Sequence, residues 1–248
     1  MADTVVVITG ASGGIGEAAA EKLALDGMSL VLTGRREDAL RQVAARCGSA
    51  VEAVVADMTV RADVRRTVEA ALARFGHIDV WVNNAGRGIT RMPTELTDDD
   101  IDEMMRANVK SALYGMQEVL PHFKERGRGH IVNVSSMLGR VPAAVFRSAY
   151  SGAKHFLNAL TDNIREELRP THPDIQVSLV SPGIVHTEFG LNARHGGPDS
   201  RTLPQGQTAE QVADVIARVI RDRRPDVYTR PGARRMVIDY FETHGEDA

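Results

Sequence analysis

Hydrophobic positions along the chain follow two alternating rhythms. Seven short runs, at 4–9, 29–33, 51–56, 78–82, 130–134, 175–180 and 226–229, are dominated by continuous Val, Ile and Leu rather than by strict alternation. That pattern suits strands of a parallel sheet covered on both faces. Between them the apolar residues recur at three and four positions, the period of an amphipathic helix. Helices are predicted from the first glycine turn to Leu25, over 37–46 and 60–75, from Thr97 to about Leu120, over 150–168, and from Thr208 to Ile220. In the third, Val64, Val68, Ala71, Leu72 and Phe75 form one stripe. Thr97 followed by Asp98, Asp99 and Asp100 has the make-up of a capped helix start, with carboxylates at the positive end of the dipole. Pro121 to Lys124 extends or kinks that helix, and Gly127 and Gly129 break it. The segment 236–241 is expected to be a short helix or strand at a subunit or domain edge, with the last six residues loose.

Strands alternating with helices, with no internal repeat and no linker, predict one domain over 1–248. Its fold class is α/β, a single-domain doubly wound (Rossmann-type) parallel sheet of about seven strands with helices on both faces. In such sheets ligands bind beyond the C-terminal strand ends, where strand order reverses. The chemically unusual residues fall at those ends. Gly10, Gly14 and Gly16 follow the first strand, Arg35 and Arg36 the second, and Asp57 the third. Asn83 to Gly86 follow the fourth, Ser135 and Ser136 the fifth, and Pro182 and Gly183 the sixth.

The three glycines provide a tight turn, a close backbone approach and an open helix start, a cradle for a diphosphate. The loop lacks the Gly-Lys-Ser/Thr ending of a nucleoside-triphosphate site. A carboxylate at the end of the second strand would suit NAD; Gly34 followed by Arg35 and Arg36 favours the 2′-phosphate of NADP instead. Tyr150 and Lys154 lie one turn apart on one helix face. A nearby ammonium favours phenolate and pulls a pKa of about 10 downward, so the two form an acid–base pair.

Composition narrows the partners. A formal charge of −3 gives no general reason to expect nucleic acid or an anionic membrane. Cys47 is the one cysteine, which rules out an intrachain disulfide and a cysteine-cluster metal site. No His, Asp and Glu cluster at ligand spacing suggests another metal. The start of the chain lacks the regions of a secretory signal, and no apolar run approaches eighteen residues. A cytoplasmic protein is expected. The 30 basic residues are 26 Arg and 4 Lys, so Lys154 belongs to a small set and individual arginines carry little weight.

With these pieces assembled, the chain resembles the classical short-chain dehydrogenases/reductases over nearly its whole length. The resemblance rests on Thr9-Gly10-Ala11-Ser12-Gly13-Gly14-Ile15-Gly16, Asp57, Asn83-Asn84-Ala85-Gly86, Asn108, Ser136, Tyr150 with Lys154, and Pro182-Gly183 followed by Thr187. It implies an NADP(H)-dependent oxidoreductase that transfers a hydride, on the B face of the nicotinamide, between the cofactor and a carbonyl or alcohol. Tyr150 would be the general acid or base. Lys154 would lower its pKa and hold the nicotinamide ribose. Ser136 would bond the substrate oxygen, and Asn108 would hold a water of the proton relay. Gly10, Ser12, Gly14, Ile15 and Gly16 would cradle the diphosphate, Arg35 and Arg36 the 2′-phosphate, and Asp57 the adenine. Asn84, Ala85, Gly86, Pro182, Gly183 and Thr187 would line the remainder.

The pocket implied by the resemblance is formed by 137–146, the loop after Gly86, and a mobile, glycine-rich lid at about 188–207. Arg87, Arg140, Arg147 and His186 are candidates to meet an anionic substrate. Met137, Leu138, Val141, Phe146, Ile184 and Phe189 would line an apolar pocket, and the sequence leaves the two open. Period-two geometry lets only one of Ser135 and Ser136 face the substrate, and His155 is expected to turn away. A homo-oligomer, dimer or tetramer, is expected through 97–124 and 148–169. The alternatives are reduction of a C=N or activated C=C bond in the same fold, and a regulatory protein that binds dinucleotide without turnover.

Overall fold

The computed structural model describes residues 4–244. They form a seven-stranded parallel sheet in the order β3-β2-β1-β4-β5-β6-β7. The strands are β1 Val5–Ile8, β2 Ser29–Gly34, β3 Val51–Val55, β4 Val80–Asn83, β5 Gly129–Val134, β6 Ile175–Ser181 and β7 Asp226–Tyr228. The helices are α1 Gly14–Leu25, α2 Glu37–Cys47, α3 Arg61–Phe75, α4 Asp98–Met105, α5 Ser111–Arg126, α6 Ser148–Leu168, α7 Ala209–Asp222 and α8 Ala233–Thr243. Strand order reverses between β1 and β4, which pair directly, Val6 with Val80 and Ile8 with Val82.

Each face of the sheet has its own core. One face packs Val6, Ile8, Leu30 and Leu32 under Ala19, Leu23, Leu40, Val212 and Ile216 of α1, α2 and α7. The other packs Val7, Val31, Trp81 and Ile131 under Val64, Met116, Phe123 and Leu157 of α3, α5 and α6. Burial on both sides is why the strands are continuously apolar, as the sequence pattern requires. Among the described residues, no helix is long and apolar enough to cross a membrane.

The boundaries move in instructive places. The fourth strand begins at Val80; Asp79 before it still bonds both neighbours through its main chain, while its Oδ2 accepts from Val5 N at 2.9 Å and its Oδ1 from Arg126 Nη1 at 3.0 Å. Of the two courses open at Pro121, extension or kink, the helix takes extension and runs through Pro121 to Arg126. Val119 and Phe123, both fully buried, hold it on the sheet at a gain that outweighs the proline's missing N–H. Gly127, at φ +68°, ends it in the left-handed conformation. Between α4 and α5 the chain makes one π turn, Arg106–Lys110, which carries Asn108. The segment 236–241 lies within α8. Of the six terminal residues expected to be loose, Thr243 ends α8 and His244 stacks on Tyr240 at 4.3 Å; 245–248 lie outside the described residues.

A buried polar ladder sets the position of α6. Trp81 Nε1 donates to Asn83 Oδ1 (2.7 Å), Asn83 Nδ2 to Asn133 Oδ1 (2.8 Å), and Asn133 Nδ2 to Thr161 Oγ1 (2.9 Å). Each polar atom in an apolar layer has a partner, so the ladder specifies one relative placement of β4, β5 and α6.

A second polar centre pins the segment 188–207. Thr97 and Asp100 form the reciprocal cap of α4. Asp100 is also fully buried and receives Arg91 Nη1 at 3.0 Å, Arg194 Nε at 2.5 Å and His195 Nε2 at 2.8 Å. Burial works to raise its carboxyl, but hydrogen bonds from His195, Thr97 and Arg194 outweigh it and hold the group well below the ordinary carboxylate range. A short parallel bridge, Ile89 with Arg194, runs beside this centre.

Asp100→Asn should destabilise the protein by about 3 kcal/mol at pH 7, the scale for breaking an enclosed charge pair. A depressed folded pKa contributes stability above the unfolded value and loses it as pH falls. Denaturant unfolding should therefore show the gap between wild type and variant closing below about pH 4. Equal stability of the two proteins at pH 7 would refute the latch.

Candidate active site

A cleft of about 1650 Å³ runs along the C-terminal strand ends, from Arg35 and Asp57 past the glycine loop to Tyr150, Phe146 and Phe189. Its floor is the β1–β4 reversal, closed by a short set of hydrogen bonds. Thr9 Oγ1 accepts from Asn84 N (2.9 Å) and Ala85 N (3.0 Å), and Asn84 Nδ2 donates to Thr9 O (2.9 Å). The loops 10–16 and 84–86 are thereby pressed together, and glycine is required at both contact points. Gly10 adopts φ +67°, and a Cβ there would lie 2.9 Å from Ala85 Cα. At Gly16 a Cβ would collide with Gly10 O and come within 2.5 Å of Asn84 Nδ2. Gly14, at φ +60°, faces Thr187, whose Cγ2 would touch a Cβ at 3.4 Å.

This is a cradle of the size and backbone character that a dinucleotide diphosphate needs at the start of α1. Ser12 and Ile15 line the same stretch. At the far end, Arg36 Nη2 folds back onto Ser12 O at 2.8 Å, while Arg35 is largely exposed with Nη1 3.8 Å from Asp57 Oδ2. Asp57 Oδ1 accepts from Thr59 N and Oγ1 at 2.9 and 2.8 Å. That leaves its other oxygen at the cleft end.

At the opposite end, Tyr150 and Lys154 meet on the inner face of α6, both buried. Ser135 and Ser136 diverge as period two requires. Ser135 Oγ donates to Asn158 Oδ1 at 2.5 Å in the core, while Ser136 turns to the phenol of Tyr150. Lys154 Nζ donates to Val134 O at 3.0 Å and lies 5.7 Å from the Tyr150 ring centre. Burial pushes the Tyr150 phenol up to about 12, against the downward pull of its hydrogen bond with Ser136 and of the Arg147 charge. Burial pushes the Lys154 ammonium down to about 8. The downward pull expected from Lys154 thus comes, in this structure, from Ser136 and Arg147, because the ammonium is turned to a main-chain carbonyl.

Asn108 sits beside this pair with both of its amide protons in use. Nδ2 donates to Arg87 O (2.9 Å) and Met104 O (3.1 Å), and Oδ1 accepts from Arg87 N (3.1 Å). Its amide holds the loop after Gly86, a task the sequence did not reveal. Pro182 and Gly183 line the cleft; Pro182 O accepts from Met137 N at 2.7 Å and so anchors the turn after Ser136. His155 bonds Ser151 O within its own helix, on the side away from the cleft.

The four candidates for an anionic substrate separate cleanly. Arg87 pairs with Glu103 at 3.5 Å, and Arg140 pairs with Asp226 at 2.5 Å. His186 Nε2 lies 3.1 Å from Leu203 O. Arg147 is buried with Nη1 lacking any hydrogen-bond partner. Arginine abundance hid this distinction in the sequence.

Residues 4–196 match the family model described as short chain dehydrogenase. An uncharacterized oxidoreductase of Staphylococcus epidermidis is 36% identical over 214 residues, covering 86% of this chain and 89% of that protein. The structure is similar to that of a short chain dehydrogenase/reductase from Burkholderia phymatum in complex with NAD, with TM-score 0.88 and 27% identity over 99% of this chain and 97% of that one. It is also similar to an alcohol dehydrogenase from the archaeon Thermococcus sibiricus complexed with 5-hydroxy-NADP, with TM-score 0.79 and 28% identity over 91% and 95% of the two chains. The chain belongs to the short-chain dehydrogenase family of oxidoreductases.

Proposed function

We propose that the protein is an NADP(H)-dependent oxidoreductase that interconverts a carbonyl compound and its alcohol. The observation that carries this reading is the placement of a buried phenol, on which Ser136 acts, in the same cleft as a glycine-lined dinucleotide cradle. Gly10, Ser12, Gly14, Ile15 and Gly16 would hold the diphosphate, and Asn84, Ala85, Gly86, Pro182, Gly183 and Thr187 would line the rest of the cofactor. Asp57 would meet the adenine and Lys154 the nicotinamide ribose. When bound, the dinucleotide supplies or accepts the hydride; the protein supplies position, proton and charge.

In reduction, Tyr150 donates its proton to the substrate oxygen while Ser136 stabilises the charge developing there. With its pKa raised, the phenol stays protonated at neutral pH, the state that reduction needs. Oxidation needs the phenolate, so its rate should climb as pH rises above 7, while the reductive rate should stay flat up to about pH 8, where Lys154 begins to lose its proton. Asn108, by fixing the loop after Gly86, keeps the floor beneath the reacting carbon in place. The segment 188–207 acts as a lid that excludes water. The Tyr-to-Lys spacing of four argues for C=O over C=C reduction, and the presence of Tyr150, Lys154 and Ser136 argues against a binding-only role.

NADP is favoured over NAD because β2 ends at Gly34 with no carboxylate there. Exposed Arg35 and the loop-capping Arg36 flank the place where a 2′-phosphate would lie. An oligomer is favoured by exposed Ile101 on α4 and Phe156 on α6, large apolar side chains left on the helices expected to pair.

Against a panel of ketones and aldehydes, Tyr150→Phe should lose at least a hundredfold in kcat, the scale of a lost general acid; a near-normal rate would overturn the mechanism. Arg35→Ser should raise KM for NADPH by about tenfold or more, the worth of a charge-assisted hydrogen bond, and leave NADH little changed. Equal effects on both cofactors would refute the phosphate assignment. In size-exclusion chromatography with light scattering, two or four chains per particle are expected, and a monomer at micromolar concentration would remove the oligomer.

A further inference from the structure

Arg147 is a buried cation without an anion. It is 7% exposed, yet its Nη1 has no hydrogen-bond partner. Burial lowers its pKa, and the one group whose charge opposes that is Tyr150, not a carboxylate. An enclosed, unpaired guanidinium is costly to a fold, so a counter-charge arriving from outside the chain accounts for its retention.

The surroundings show where that counter-charge would sit. Arg147 is one turn before Tyr150, at the start of α6, and lines the same cleft. Its guanidinium lies between two aromatic rings, 5.7 Å from the Phe146 centre and 5.9 Å from the Phe189 centre. Phe189 in turn packs edge-on to Tyr150 at 5.5 Å. Opposite, Gly88 leaves room that no side chain could share: a Cβ there would collide with Arg147 Nη1 and lie 2.9 Å from Cε1 of Phe189. A Cβ on Gly197 would meet Nη2 at 3.3 Å. The guanidinium is therefore packed against Gly88, Gly197 and the rings of Phe146 and Phe189, in the wall of the cleft that also holds Tyr150. The diphosphate cradle at Gly14 faces Thr187, whereas Arg147 faces Gly88, Gly197, Phe146 and Phe189.

We infer that Arg147 binds a carboxylate of the substrate, so that the natural substrate is an oxo acid or its hydroxy acid. The inference rests on the proposed carbonyl chemistry at Tyr150 and adds what holds the other end of the molecule. A carboxylate is planar, matches the guanidinium fork two bonds at a time, and fits between the rings. Because Nη1 is enclosed, the acid would reach it by displacing the Phe189 ring, which is exposed at the cleft. Arg147 then has the partner that the folded chain does not supply, and the carbonyl is held beside Ser136 and Tyr150.

The test uses oxo acids whose carboxylate lies two to five carbons from the carbonyl, each against its methyl ester. In calorimetric titration of the full-length protein with NADP⁺ present, the best acid should bind at least tenfold tighter than its ester, and Arg147→Met should abolish that advantage. Arg147→Lys should restore part of it, which a purely structural arginine would not do. Turnover should follow the same ratio. Equal affinity of wild type for acid and ester overturns the inference, even if Arg147→Met does not fold. The carbonyl reading fails separately: it falls if Tyr150→Phe leaves turnover of the methyl esters intact, whatever the acids do.

Discussion

Everything at the cleft depends on how closely two loops can approach where the sheet reverses. β1 and β4 are neighbours in space but 71 residues apart from the end of one to the start of the other. Their outgoing loops are joined by Thr9 and Asn84, with both the hydroxyl and the carbonyl of Thr9 in use. That stitch brings backbone against backbone at Gly10, Gly16 and Ala85. Any side chain at the two glycines would push the loops apart and fill the space a diphosphate needs. The positive φ of Gly10 and Gly14 and the start of α1 follow from the same approach. The cradle is thus a consequence of topology and only secondarily of glycine content.

From that floor, position is transmitted to the chemistry by polar contacts buried inside apolar layers. The ladder from Trp81 through Asn83 and Asn133 to Thr161 fixes α6 over β4 and β5. Because α6 carries Tyr150 and Lys154, its register decides where the phenol points. A purely apolar interface would allow helices to slide at small cost, whereas unpairing any rung costs about 1–3 kcal/mol. Asn108 does the same for the loop after Gly86, from a π turn that departs from the regular α-helix on either side of it. Rigid placement of this kind is what general acid catalysis requires, since a proton moves usefully only over hydrogen-bonding distance.

How legible this was from sequence varied with the physics of each element. The strands were legible because burial on both faces forces unbroken Val, Ile and Leu; 29–33 and 51–56 lie within a residue of β2 and β3. The helix after Thr97 was legible at its start, where Thr97 and three aspartates are local signals, and at its end, where Gly127 stops it after an extension through Pro121. The π turn at Arg106–Lys110 that divides the run was not, because no local pattern marks it. Gly10, Ser136, Tyr150 and Lys154 converge because they all stand at strand ends or on one helix face, and period arithmetic predicts both. The Asp100 centre was half legible. Its capping role is local, but its partners Arg194 and His195 lie 94 and 95 residues away. Alternation separated Ser135 from Ser136 and the resemblance chose Ser136; only the structure shows Asn158 accepting from Ser135.

The arginines teach the opposite lesson, that abundance conceals chemistry until burial is known. Most of the surface guanidiniums are held by a nearby carboxylate, as Arg41 is by Glu37 and Arg201 by Asp199, and such exposed pairs contribute little. Arg147 differs in solvation rather than in residue type. With water removed, its field acts on Tyr150 at a low effective dielectric, so one side chain both tunes the phenol and awaits an anion. These two roles are linked. An anion that neutralises Arg147 weakens the pull on Tyr150 and keeps the phenol protonated. An anionic oxo acid would therefore leave the phenol protonated, as it already is at neutral pH. A bound hydroxy acid would hold the proton on the group that must accept one, so its oxidation would need a higher pH than that of an uncharged alcohol.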